Sequence, residues 1–255
     1  MAILIKTSEQ IVLMRAANQV VARTHELLEK YIRPGVATQE LDRIAEEYIH
    51  GQGAIPSFKG YQAGPTPTGF PGSICVSINE EVIHGIPGLK KLREGDIVSI
   101  DIGACKDGFH GDAARTHPVG KILPKYQKLI DVTQKCFFEA IEYARSGRHL
   151  HEICAMVQTV AESNGFSVVR EYVGHGVGQQ MHEDPQIPNF KQAGRGPRLS
   201  KGMTLAIEPM VNEGTYEINV LSDHWTVVTR DKKYSAHYEN SILITDGAPE
   251  ILSMV

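Results

Sequence analysis

The feature that most constrains the fold is a pair of aspartates on either side of a predicted tight turn. Asp101 lies in an alternating run rich in Ile and Val, which predicts a β-strand. The dipeptide Asp107-Gly108 favours a type I′ hairpin turn. With that turn, Asp112 pairs with Gly103, which shares a face with Asp101 because side chains alternate along a strand. Both carboxylates are therefore expected on one face as diagonal neighbours, about 7–8 Å apart.

Two like charges this close repel each other unless a cation lies between them. A pair of divalent metal ions would fit the gap between the two carboxylates. For this stretch alone, the alternative is a solvated hairpin with scattered charge, because exposed acidic residues are the commoner case. The choice between the two depends on the rest of the chain.

Composition excludes several classes of protein. The 255 residues, 42% of them hydrophobic, suit one large domain or two small ones with an ample core. No apolar run reaches the roughly 18 residues needed to cross a bilayer, and the N-terminus lacks a signal-peptide pattern. A net charge of −4 gives no electrostatic case for binding nucleic acid or membranes. The four cysteines are widely spaced, so we expect reduced thiols in the cytoplasm and no thiolate zinc site.

Helical and extended patterns occur in blocks, which predicts an α+β fold with helices backing a mostly antiparallel sheet. The first helix begins near Thr7, where Gln10 completes a capping box, and the second begins at Thr38. Two more helices are predicted at about 124–143 and 150–163. Strands are predicted at about 74–79, 96–105, 112–120, 166–173, 203–211, 225–229 and 238–245.

A faint internal repeat predicts two similar halves. The pattern Arg-x-Gly-x-x-x-x-Glu followed by Leu or Ile occurs at 33–41 and again at 145–153. Similarity at a fixed offset is typical of duplication. We therefore expect one catalytic domain over 1–255, with pseudo-symmetric halves at about 1–122 and 123–255. A site often lies where two such parts meet.

Three further residues carry ligand-type chemistry. His175 lies among three glycines, whose backbones leave room around an imidazole. Glu208 and Glu239 are single acids at the edges of apolar strands, where a charge should be paired or metal-bound. With Asp101 and Asp112, the set has four carboxylates and one imidazole, which suits Mn, Fe, Co or Zn. Four negative charges balance two dications, and such a pair activates water in aminopeptidases and other two-metal hydrolases.

Six segments resemble the pita-bread metallopeptidase family and, within it, the type I methionine aminopeptidases. The segments are INEEVIHGIP, GDIVSIDIG, KDGFHGDAART, YVGHGVGQQMHEDP, TLAIEPMV and SAHYENSI. The resemblance covers nearly the whole chain. It implies the pita-bread fold and removal of an N-terminal methionine when the next residue is small.

The resemblance also implies a role for each residue. Asp101, Asp112 and Glu239 would hold one metal ion, and Asp112, His175, Glu208 and Glu239 the other. His182 would stabilise the scissile carbonyl or the developing oxyanion, and His84 would contact the amide nitrogen or the amine of the substrate. Glu208 would also relay protons. Because water is the nucleophile, no acyl-enzyme is expected.

A further set would line the pocket for the methionine side chain: Tyr61, Phe70, Cys75 and Trp225. Two departures from the family pattern lie near it. Residues 63–68 look like an insertion, and Met181 stands where an aromatic residue is common. Neither departure touches a predicted metal ligand.

The implied partners are the N-termini of nascent polypeptides at the ribosome, with the enzyme acting as a cytoplasmic monomer. Two alternatives remain at this stage. An X-Pro peptidase shares the fold and the ligands but carries a large N-terminal domain, which we expect to be absent because the first helix begins near residue 7. A non-catalytic pita-bread binding module would have lost ligands, whereas all five are present here.

Overall fold

Four helices occur in residues 2–62 and 68–255, the parts of the chain that the computed structural model describes. They are α1 Ser8–Glu29, α2 Thr38–Gly51, α3 Pro124–Ile141 and α4 Leu150–Ser163. As predicted, Thr7 caps α1 and exchanges capping-box hydrogen bonds with Gln10. The insertion predicted at 63–68 lies outside the described residues except for Thr68. No helix in the described ranges is long and apolar enough to span a membrane.

Apart from the two ten-residue strands β4 and β5, the strands are short, and the strand pairings are antiparallel. In chain order they are β1 Ile55–Pro56, β2 Cys75–Ile78, β3 Glu81–Ile83, β4 Ile97–Lys106, β5 Phe109–Pro118, β6 Ser167–Val168, β7 Gly174–Gly176, β8 Glu183–Ile187, β9 Thr204–Ile207, β10 Met210–Asn212, β11 Ile218–Val220, β12 Val227–Thr229, β13 Ser235–His237, β14 Asn240–Leu243 and β15 Glu250–Ile251. The antiparallel α+β architecture expected from the block pattern is therefore confirmed.

The β4–β5 hairpin has the register predicted from its turn. Asp112 lies opposite Gly103, and Asp101 lies opposite Ala114. The two turn residues have φ values of 50° and 79°, as a type I′ turn requires. This hairpin forms a sheet with β1 and β2, so it places both aspartates on one face of a rigid scaffold.

A second sheet, in the order β15-β14-β9-β7-β8, meets the hairpin along β5. The backbone N–H of Glu239 donates to the carbonyl of Ala114 over 2.9 Å. The Ser241 hydroxyl donates to the carbonyl of Asp112 over 3.0 Å. These bonds join the residues just before and within β14 to β5, which brings the two sheets together at the predicted ligands.

Each sheet packs against a pair of helices. One buried cluster joins α1 and α2 to β2 and β4 through residues such as Leu28, Leu41 and Ile100. Another joins α3 and α4 to β9 and β14 through residues such as Phe137 and Ile242. Burying an apolar helix face against a sheet is the main stabilising contribution in this architecture.

Helices α2 and α4 correspond as the internal repeat predicts. Each has 14 residues, and each begins and ends at the same offset as the repeat. Ahead of them, Gly35 and Gly147 adopt φ values of 93° and 89°, a left-handed conformation that favours glycine. The residues before the two helices, Ala37 and His149, each form an isolated antiparallel bridge.

Two predicted strands differ from the structure. Of the strand predicted at 166–173, only Ser167–Val168 forms. The strand predicted at 203–211 is interrupted at Glu208-Pro209, which separates β9 from β10. Proline has no backbone N–H to donate to a ladder, so the sheet breaks there. That break lies at a predicted metal ligand.

Candidate active site

The five predicted metal ligands converge at the junction of the two sheets. Asp112, His175 and Glu239 are buried, and each offers a ligand atom within 4.8 Å of those of the other two. Nε2 of His175 lies 3.6 Å from Oδ2 of Asp112 and 3.6 Å from Oε1 of Glu208. Asp101 lines the same cavity. Four carboxylates and one imidazole therefore face one small space.

These ligands come from separate elements. The hairpin supplies Asp101 and Asp112, and the centre of β7 supplies His175. Glu208 directly follows β9, and Glu239 directly precedes β14. Strands β7, β9 and β14 are neighbours in one sheet. The ends of two adjacent strands and the middle of a third thus place their side chains opposite the hairpin.

Glycine is needed on both sides of His175 for steric reasons. A Cβ on Gly174 would lie 2.5 Å from the carbonyl oxygen of Ala206, and a Cβ on Gly176 would lie 2.3 Å from that of Asp184. Only glycine therefore allows the neighbouring strands to approach β7 so closely. Nδ1 of His175 lies 2.8 Å from the carbonyl oxygen of Gly176. A proton on Nδ1 makes that bond and leaves Nε2 as the free ligand atom.

Burial and mutual repulsion dominate the electrostatics of the carboxylates. Burial raises the pKa of Asp101 from 3.8 to about 7. Burial, together with the neighbouring carboxylates, raises the pKa values of Asp112, Glu208 and Glu239 well above their ordinary range. Burial also lowers the pKa of His175 to about 3, which keeps its imidazole neutral. Buried acids without counter-charges favour the bound proton or a bound cation.

Unsatisfied oxygen atoms show that this donor set fits divalent metal ions. Oδ1 of Asp101, Oδ1 of Asp112 and Oε1 of Glu239 are buried and have no hydrogen-bond partner among the described residues. Buried polar atoms are ordinarily paired. Hard oxygen donors plus one neutral imidazole nitrogen match the preferences of Mn, Fe, Co and Zn.

His84 is held at the cavity in an uncommon backbone conformation. Its φ is 57°, in the left-handed region that non-glycine residues rarely adopt. The next residue, Gly85, fixes this turn because its N–H donates to the Ser77 hydroxyl over 3.0 Å. The His84 and Tyr172 rings pack edge to face with their centroids 5.5 Å apart, and burial lowers the pKa of His84 to about 4. Such strain is typical of functional sites.

His182 lies beside the ligands, at the mouth of the cavity. Its ring centroid is 4.4 Å from that of His175. Its Nδ1 lies 2.7 Å from the Tyr61 hydroxyl. Burial lowers the pKa of His182 below its ordinary value, which favours the neutral ring. A neutral imidazole here can donate one hydrogen bond toward the ligands.

The cavity has a volume of about 270 Å³ and an apolar side. The Phe70 and Trp225 rings pack edge to face at 5.2 Å, and Cys75 joins their buried cluster. Every site residue named from the sequence lines this cavity, together with Phe58: Tyr61, Phe70, Cys75, His84, Asp101, Asp112, His175, His182, Glu208, Trp225 and Glu239.

Two residues at the site were missed from the sequence. Phe58 lines the apolar side, and nothing in its local pattern distinguishes it from a core residue. His237 is buried, its Nε2 has no hydrogen-bond partner among the described residues, and that atom lies 3.9 Å from Oε2 of Glu208. The sequence did contain a signal for His237. It precedes Glu239 by two residues, and side chains two residues apart on an extended segment point to the same face.

Known proteins are similar to this chain over its whole length. The model of metallopeptidase family M24 matches residues 12–246. A methionine aminopeptidase from Clostridium perfringens is 53% identical over 253 residues, with 99% of each chain covered. One from Escherichia coli K12 is 46% identical over 256 residues, covering 100% of this chain and 95% of its own.

Solved structures agree with these relatives. The crystal structure of methionine aminopeptidase from Thermotoga maritima is 43% identical, with a TM-score of 0.95 and full coverage of both chains. A prolidase from Pyrococcus furiosus is 22% identical with a TM-score of 0.79, and this chain covers 65% of its length. That likeness shows the shared fold alone, and the pita-bread prediction is confirmed. The chain therefore belongs to metallopeptidase family M24 and, within it, to the methionine aminopeptidases.

Proposed function

We propose that this protein is a metal-dependent aminopeptidase that removes the N-terminal methionine from polypeptides whose next residue is small. The observation that carries this proposal is a single cavity that unites five metal-ligand side chains with an apolar pocket. Relatives that are 53% and 46% identical carry the name of this activity.

Two groups of residues would hold the metal ions. Asp101, Asp112 and Glu239 would bind one ion, and Asp112, His175, Glu208 and Glu239 the other, so that two carboxylates are shared. When bound, two divalent ions of Co, Mn, Fe or Zn activate a water molecule and polarise the scissile carbonyl. Their four units of positive charge would balance the four carboxylates.

The other polar groups have separate tasks in this proposal. Glu208 accepts a proton from the attacking water and delivers it to the leaving amine. His182 donates a hydrogen bond to the oxygen that becomes negative in the transition state. His84 contacts the amine side of the substrate. Since water attacks directly, no side chain becomes acylated.

The apolar side of the cavity would select methionine. An unbranched thioether packs well against aromatic edges. Phe70, Trp225 and Tyr61 offer such edges, and Cys75 in the same cluster adds a small, soft surface. Phe58 extends this wall, so we add it to the pocket that the sequence predicts.

We further infer that the chain is one catalytic domain with halves at about 1–122 and 123–255. The matched helices α2 and α4 support this division. We place the enzyme in the cytoplasm as a monomer that acts on nascent chains at the ribosome. Its four cysteines are all free, as expected in a reducing compartment.

Peptide hydrolysis by metal-stripped protein tests the function. Mn, Fe, Co or Zn is added back singly, with Met-Ala-Ser and Ala-Pro-Ala as substrates. Release of methionine from Met-Ala-Ser alone is the expected result. Cleavage of Ala-Pro-Ala instead would make the protein an X-Pro peptidase. If neither peptide were cleaved although metal was bound stoichiometrically, the protein would be a binding module and the proposal would be contradicted.

A further inference from the structure

A short hydrogen bond at the mouth of the cavity joins a pocket residue to a proposed catalytic one. The hydroxyl of Tyr61 lies 2.7 Å from Nδ1 of His182. The two ring centroids are 5.1 Å apart and the ring planes are tilted by 58°. Within the described ranges, neither group has another side-chain hydrogen bond. The direction of this bond is therefore linked to which nitrogen of His182 carries the proton.

The chemistry of the two partners sets the direction of this bond. A phenol is a good donor and a weak acceptor, whereas an unprotonated imidazole nitrogen is a strong acceptor. Burial raises the pKa of Tyr61 above 10, so its hydroxyl keeps its proton at neutral pH. This difference favours the arrangement in which Tyr61 donates and Nδ1 of His182 accepts. A neutral imidazole that accepts at Nδ1 carries its proton on Nε2.

We infer that Tyr61 is a positioning residue that fixes His182 in the tautomer with the proton on Nε2. This inference rests on the proposed function, in which His182 donates a hydrogen bond to the scissile carbonyl oxygen. The opposite tautomer would present a lone pair to that oxygen and would repel the developing charge. Tyr61 thus does more than form a wall of the methionine pocket.

The backbone around Tyr61 is fixed well enough for this role. Its N–H donates to the carbonyl of Phe58, and its carbonyl accepts from the N–H of Phe70, both over 2.9 Å. The N–H of Gly60 also donates to Phe70 over 2.8 Å. A Cβ on Gly69 would lie 2.4 Å from the carbonyl oxygen of Gly60. The two chain segments therefore pack backbone to backbone and hold the Tyr61 ring in place.

Nitrogen NMR of the metal-free protein tests the tautomer directly. In protein labelled with ¹⁵N-histidine, we expect a protonated-nitrogen shift at Nε2 of His182 and an unprotonated shift at Nδ1. The variant His182→Gln identifies the signal. In Tyr61→Phe, which removes only the hydroxyl, the two nitrogens should move toward averaged shifts. The control Tyr48→Phe, on helix α2, should leave them unchanged. A proton on Nδ1 in the parent, or unaltered shifts in Tyr61→Phe, would overturn the inference.

Kinetics with Met-Ala-Ser and manganese test whether Tyr61 acts through His182. Tyr61→Phe should lower kcat about fivefold to tenfold, the loss expected for one hydrogen bond, with KM within about twofold because the ring remains. In a His182→Gln background, the same substitution should change kcat by less than about twofold. An equal loss of kcat in both backgrounds, or a change in KM alone, would assign Tyr61 only to the pocket wall.

The two experiments separate this inference from the proposed function. If the parent releases no methionine, the proposed function fails. The NMR measurement on the metal-free protein still decides the tautomer in that case. If the parent is active but the proton lies on Nδ1, the function stands and the inference fails.

Discussion

At the scale of single residues, the site is defined by buried ligand atoms that lack hydrogen-bond partners among the described residues. Oxygen atoms of Asp101, Asp112 and Glu239 lack hydrogen bonds among the described residues, and His175 offers a free Nε2. Removing a charge from water costs several kcal/mol unless it is paired. Each ligand therefore depends on the bound cations, and the loss of one ligand weakens the whole set.

His175→Ala should abolish activity while leaving the fold intact. His175 is the nitrogen donor of the set, so we expect metal affinity to fall by at least about 100-fold. Metal content after dialysis and circular dichroism would measure the two effects. His50→Ala, an exposed residue on α2, is the matched control. Substantial turnover by His175→Ala with stoichiometric metal would contradict the ligand assignment.

His182→Ala should lower kcat without releasing metal. His182 contributes a hydrogen-bond donor near the ligands and is not itself one of the five. The loss of one oxyanion donor lowers kcat by about 10²–10³. Steady-state kinetics at saturating metal would measure the effect. An unchanged kcat would exclude His182 from transition-state stabilisation.

At the scale of elements, the β4–β5 hairpin serves both the metal ligands and the apolar pocket. Gly103 pairs with Asp112, and it also lies against the side chains of Phe58 and Met181. A Cβ at this position would lie 2.7 Å from Cε1 of Phe58 and 3.0 Å from Cε of Met181. Glycine at position 103 therefore leaves the room that the side chains of Phe58 and Met181 occupy.

Gly103→Ala should change substrate binding more than metal binding. The added methyl group would displace the Phe58 ring toward the cavity, whereas the strand register that places Asp112 is kept. We expect KM for Met-Ala-Ser to rise about tenfold, equivalent to about 1.4 kcal/mol, with metal content unchanged. Ala104→Gly, on the same strand, is a control for general destabilisation of that strand. The opposite result would be a Gly103→Ala protein that is purified without metal and recovers the parent KM once metal is added back. That result would show that the glycine serves the metal site instead.

At the scale of the whole molecule, metal binding and folding are linked through the buried acids. The raised pKa of Asp101, from 3.8 to about 7, means that the folded metal-free protein binds a proton more tightly than the unfolded chain. Its stabilising contribution is therefore fully present below about pH 4 and is lost as pH rises through 7. Divalent ions at this site would compete with these protons, so metal affinity would rise with pH.

As pH rises from 4 to 7, metal-free Asp101→Asn should become more stable relative to the metal-free parent, as measured by the free energy of unfolding. The parent loses the contribution of the protonated acid over this range, whereas the amide does not titrate. Urea unfolding at several pH values would measure the difference, with Asp107→Asn in the exposed turn as the control. Metal at 100 times its dissociation constant should stabilise the parent by about 2.7 kcal/mol. A constant difference across pH would contradict the raised pKa.

Local signals explain how much of the fold could be predicted. The capping box at Thr7, the bounds of α4 and the type I′ register of the hairpin depend on residues a few positions apart, and each matches the structure. The prediction of a strand over 166–173 was wrong, because the length of a strand depends on pairing partners that are far away in the chain. The break at Glu208-Pro209 has a local cause instead, because Pro209 has no backbone N–H to donate to a ladder.

Local patterns in the chain are enough to establish which side chains can bind metal, where the hairpin turns, and which family the chain resembles. The packing of the two sheets decides how five ligands from four separate segments share one cavity with Phe58, and it brings Nε2 of His237 within 3.9 Å of Oε2 of Glu208. The same holds for the contact between Tyr61 and His182. The reason is physical: backbone propensities act over a few residues, whereas the approach of distant side chains depends on how the two sheets pack.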